Sequence, residues 1–99
     1  MRNFIISPEA REDLLAIQDY IARDNRAAAS VVIDAVFAAC GELSEYPMMG
    51  HCRNDLTSRN VRFWSVYSYL IVYDATSKPI SIVRVLSGYR DIANLLQQH

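Results

Sequence analysis

The chain has little of what breaks structure or binds metal. Three glycines, three prolines and two cysteines among 99 residues argue against a low-complexity, collagen-like or disulfide-stapled protein. Cys40 and Cys52 are not in a C-x-x-C arrangement, and no cluster of histidines or acids stands at ligand spacing, so neither metal nor cofactor is expected. Cys40 falls in an apolar helical pattern, where a thiol serves as a small hydrophobe. The apolar runs break well short of the ~20 residues of a membrane span, and "MRNFIIS" is too short for a signal-peptide core. The expectation is one cytoplasmic domain over residues 1–99 with no membrane association. At 52% apolar and 21% charged side chains, it should bury roughly two-thirds of its unfolded surface.

Lysine is almost missing. Lys78 is the only one beside nine arginines, and the net charge is −1. Diffuse, salt-sensitive attraction to nucleic acid is therefore weak, and the cations that remain favour planar, bidentate pairing. Their distribution is uneven: residues 1–50 hold four arginines against eight acids, and residues 51–99 hold six basic groups against three acids.

Along the chain, "RNFIIS" (2–7) reads as a short strand. "SPEAREDL" is a helix start, with Ser7 as N-cap, Pro8 at the first helical position and Glu9 in the first turn. Ala10, Leu14, Ile17 and Ile21 form an apolar stripe on a helix running to about Asp24, leaving Arg11, Glu12, Asp19 and Arg23 in water. Asn25 or Asp24 caps a second helix through Ala29, Val32, Ile33, Val36, Phe37, Cys40 and Leu43, which Pro47 ends after Tyr46. "YPMMGHCRND" reads as a loop. The aromatic and β-branched segments "VRFW", "YLIVYD" and "ISIVRVL" follow, separated by "SVYS" and "ATSKP", and predict an antiparallel meander. Ile92, Leu95 and Leu96 suggest a last short helix. The order β-α-α-β-β-β-α describes an α+β domain, a helical hairpin packed on a small, mainly antiparallel sheet.

Together "SPEAREDLLAIQDYIARDN", "LSEYPMMG", "VRFWSVYSYLIVYD" and "ISIVRVLSGYRDI" resemble the RelE/ParE superfamily of toxins from type II toxin-antitoxin systems. The ordered set carries the likeness: helix start, P-x-x-G loop, Arg-aromatic strand, Y-x-I-x-Y strand and a closing V-L-x-G-x-R-D. The resemblance implies a toxin held inactive in a hetero-oligomer with a cognate antitoxin, ParD-like or similar, whose C-terminal segment wraps the apolar surface of the helices and sheet. Tyr20, Tyr46, Met48, Met49 and Tyr67 are the apolar candidates for that contact.

Two activities occur in the superfamily. RelE-like members resemble ribosome-dependent endoribonucleases acting on mRNA; ParE-like members resemble inhibitors of DNA gyrase. Metal-free RNA cleavage needs a proton acceptor, a proton donor and cations for the phosphorane charge. A nuclease would draw on Arg62, Arg84, Tyr89 and Arg90, with His51 as a further proton-transfer candidate, since arginine is too basic to accept a proton near neutral pH. Arg59, Arg62, Trp64, Arg84, Tyr89 and Arg90 are equally candidates for contact with a target or the antitoxin. Strand alternation places Arg84 on a face with Ile82 and Leu86, and Arg62 with Trp64; a framework role would pair Arg84 with Asp91, Asp74 or Asp55. Many superfamily members carry His where this chain has Ser87. One lysine and a pI near 6.0 depart from the basic surface of RelE-like nucleases, so the ParE-like reading is preferred. The alternatives are the ribonuclease and a decayed toxin acting only in operon autoregulation.

Overall fold

A computed structural model describes residues 3–53 and 60–87. The elements are β1 (Phe4–Ile6), α1 (Pro8–Ala22), α2 (Arg26–Glu45), a 3-10 turn (Pro47–Met49), β2 (His51–Cys52), β3 (Arg62–Val66), β4 (Tyr69–Asp74) and β5 (Ile80–Ser87). They form one five-stranded sheet in the order β1-β5-β4-β3-β2. β1 is parallel to β5 and the other pairings are antiparallel, so the α+β expectation holds with a mixed sheet. The last helix, with Ile92, Leu95 and Leu96, lies outside the described residues.

Both helices begin where side-chain chemistry permits. The Ala10 amide donates to Ser7 Oγ at 3.0 Å and the Ala28 amide to Asn25 Oδ1 at 3.0 Å, each satisfying an N–H that has no partner within the helix. Asn25, rather than Asp24, is therefore the second cap, and α1 ends at Ala22, two residues short of the expected Asp24. α2 has a length and apolarity that would also suit a membrane span; here it lies against α1, β1 and β3, with Val36, Cys40 and Leu43 buried.

The sheet separates two apolar clusters. One gathers Ala10, Leu14, Ile17, Val36, Cys40 and Leu43 from the helices with Ile71, Tyr73, Ile80, Ile82 and Val85 from the sheet. The other holds Val61, Phe63, Leu70, Val72 and Leu86. Residues 70–73 alternate between them, which is why "YLIVYD" is apolar throughout. Phe37 departs from its expected burial: it is 41% exposed, with its ring 6.4 Å from that of Phe4.

Three local readings are corrected. The stretch "YPMMGHCRND" contains the 3-10 turn and the edge strand β2, because Pro47 starts a tight turn that delivers His51 and Cys52 to β3. "SVYS" is half strand: β3 runs through Val66 and only Tyr67 and Ser68 form the connection. Simple alternation also fails along β5. A bulge places Val72 opposite Arg84 and Tyr73 opposite Ile82, so Val83 is an extra residue. Ile82 and Leu86, expected beside Arg84, consequently lie in different clusters.

Tyr67 sits at φ 55°. Two-residue hairpin turns of the favoured types require positive φ at the first central residue, a conformation suited to Gly or Asn. For an ordinary side chain it costs about 1–2 kcal/mol.

Candidate functional site

β1 ends at Ile6, opposite Ile82, and the start of α1 takes over the open side of β5. The Ser7 amide donates to the Ile82 carbonyl at 3.0 Å, and Ser7 Oγ donates to the Val83 carbonyl at 2.8 Å. Six residues after Ser7, Asp13 Oδ2 accepts from the Val85 amide at 3.0 Å. The same carboxylate takes Arg84 in a fork, Nε to Oδ2 at 2.7 Å and Nη2 to Oδ1 at 2.9 Å. The side chains of Arg84 and Asp13 are 17% and 16% exposed. The hydrogen bond to Asp13 pushes the Arg84 guanidinium above its ordinary pKa, against the opposing effect of burial.

Asp13 thus replaces the partners expected from sequence. Asp74 instead closes the turn after β4, accepting from the Thr76 amide at 2.8 Å and hydroxyl at 2.6 Å. Asp55 and Asp91 lie outside the described residues. Asp13 is 71 residues from Arg84 and sits in an exposed-looking run, "REDL"; its spacing of three from Ala10 and four from Ile17, beside the apolar stripe, is the signal the sequence carries.

A second tie explains the P-x-x-G loop. The buried Tyr73 hydroxyl donates to the Pro47 carbonyl at 2.7 Å and accepts from the Gly50 amide at 2.8 Å. Arg62 Nη1 donates to the Gly50 carbonyl at 2.7 Å. A Cβ on Gly50 would lie 2.7 Å from Tyr73 Cε1 and overlap the hydroxyl, so the fourth position of the loop must be glycine. Burial pushes the Tyr73 phenol up, against the pull of the Gly50 amide and the Arg62 charge.

Arg62 and Trp64 share the helix-side face, opposite Tyr73 and Ile71. The exposed His51 stacks on Trp64, with ring centroids 6.3 Å apart at 21°. His51 and Arg84 do not converge: their strands, β2 and β5, are three spacings apart in the sheet, roughly 14 Å, and Arg84 is held from α1. Arg59, Tyr89 and Arg90 lie outside the described residues. Of the apolar candidates, Tyr20, Tyr46, Met48 and Tyr67 are exposed, whereas Met49 is half-buried against the core. They lie on α1, at the end of α2, on the 3-10 turn and at the β3–β4 turn.

A groove absent from the sequence reading opens between β1, α1 and α2. It has a volume of about 390 Å³ and is lined by Ile6, Arg11, Leu14, Leu15, Ile33 and Phe37 among others. Helical periodicity does not mark this groove, because Leu15 falls outside the apolar stripe of α1 and Phe37 falls within that of α2.

Residues 4–92 match the family described as ParE toxin of type II toxin-antitoxin system, parDE. The fold is similar to the solved structure titled "Chromosomal ParDE TA system from P. aeruginosa", with a TM-score of 0.73 and 20% identity over 90% of this chain and 98% of that one. No curated protein matches the sequence.

Proposed function

Since the chain belongs to the ParE toxin family of type II toxin-antitoxin systems, we propose that it arrests growth by binding DNA gyrase and is neutralised by a cognate antitoxin in the cytoplasm. The observation that carries this reading over a ribonuclease is the engagement of both strand arginines by the protein itself. Arg84 is forked onto Asp13 and Arg62 donates to the Gly50 carbonyl. Phosphate chemistry needs such cations turned toward a shared point, with a proton acceptor beside them. Among the described residues, His51 stands roughly three strand spacings from Arg84 and does not supply that acceptor there.

The groove between β1, α1 and α2 supports an antitoxin contact. Its apolar lining, with Leu15 and Phe37 exposed, suits the apolar face of a helix laid along it. Induction without antitoxin is expected to cause DNA-damage signalling and filamentation. Immediate translation arrest with mRNA cut in the ribosomal A site would replace gyrase by the ribosome, and no growth effect would leave only a role in operon autoregulation.

A further inference from the structure

We propose that Tyr67, at the tip of the β3–β4 hairpin, is a contact residue for the protein target of the toxin. The proposal rests on the reading of this chain as a toxin that acts by binding a protein.

Three observations meet at this residue. Its backbone has φ 55°, in a two-residue turn where Gly or Asn would relieve the strain. Its side chain is 66% exposed, so the ring gains little packing in return. Strain kept at an exposed position points to a role outside the fold. An exposed tyrosine at a rigid hairpin end offers a large apolar face and a hydroxyl at low entropic cost, the profile of an interface anchor.

The surroundings favour a protein over nucleic acid. Among the described residues, the turn and the strand ends beside it carry Ser65, Val66, Ser68, Tyr69 and Ser87, none of them charged, whereas a phosphate backbone calls for cations at the contact. The location separates this partner from the antitoxin. The groove lies along β1, and the tip joins β4 and β3, two and three positions across the sheet, roughly 10–14 Å away. The groove and the tip are therefore separate places on the fold, and the two contacts can be lost independently.

The test uses the full chain with Tyr67→Gly and Tyr67→Asn. It reads melting temperature, antitoxin affinity, gyrase affinity and growth arrest on induction. Both variants should melt higher, by roughly 4–8 °C, bind antitoxin within about twofold of the parent, and lose affinity for gyrase on the order of 30-fold, with growth arrest weakened in step. An unchanged or lower melting temperature removes the strain that motivates the proposal. Undiminished growth arrest overturns it whatever the target is. Weakened antitoxin binding with growth arrest intact reassigns the tip to the antitoxin and also overturns it. Failure of the parent chain to bind gyrase defeats the proposed target separately, and Tyr67 is then judged on growth arrest alone; a parent that arrests nothing defeats both.

Discussion

At the Tyr73 hydroxyl, one oxygen joins three parts of the chain. It donates to Pro47 and accepts from Gly50, whose carbonyl receives Arg62. Because the phenol is fully buried, losing it leaves the Gly50 amide without its partner, at a cost of about 1–3 kcal/mol. Tyr73→Phe should lower unfolding stability by that amount in urea titration. Gly50→Ala should cost a similar amount by driving a methyl group into the ring. Both variants disrupt the same contact, so their effects should not add; additivity would mean that the loop and the tyrosine are independent.

At the scale of elements, α2 is bound to the sheet through a cluster that includes Cys40. Burial pushes the Cys40 thiol from 9.0 up to about 12. The sign follows from the order of proton loss: as pH rises, the unfolded chain releases this proton first, so folding stability is intact below about 9 and declines toward about 12. Tyr73 is shifted in the same direction and adds to the decline above its ordinary value. Cys40→Ala should flatten the dependence between pH 9 and pH 10 while lowering the neutral plateau by about 1–2 kcal/mol through lost packing. An equally steep decline in that variant would place the titrating group elsewhere.

The elements that were legible in the sequence are those specified locally. Ser7 and Pro8 announce α1 through a cap and a fixed φ, and "YLIVYD" announces a strand by composition. The bulge at Val83 was not legible, because a period of two assumes an unbroken ladder and nothing in "ISIVRVL" marks the extra residue. β2 was missed because two residues, His51 and Cys52, carry no periodicity at all. The partner of Arg84 could not be read for a different reason: Asp13 meets it only after α1 takes over the side of β5 that β1 leaves open. The groove was hidden for the same reason, since Leu15 and Phe37 stand on separate helices.

Across the whole molecule, the segments that carry the family likeness are tied to one another. "SPEAREDL" holds "ISIVRVL" through Ser7 and Asp13, and "LSEYPMMG" holds "VRFW" and "YLIVYD" through Gly50 and Tyr73. Such ties specify a scaffold, and scaffolds are shared by proteins of different activity. On the proposed function, partner recognition falls to surfaces such as the groove, where Leu15→Glu should weaken antitoxin binding by about tenfold or more without lowering the melting temperature; unchanged affinity in a pull-down titration would move the antitoxin to another face.

The framework role of Arg84 is tested most directly by comparing Asp13→Asn with Arg84→Gln. Each breaks a fork that is only partly exposed, and each should lower stability by about 2–3 kcal/mol, with strong coupling between them in the double variant. At a temperature where both remain folded, both should arrest growth as the parent does, at matched protein levels. A folded Arg84→Gln chain that no longer arrests growth, beside an Asp13→Asn chain that still does, would contradict the framework role and make Arg84 a cation that touches the target.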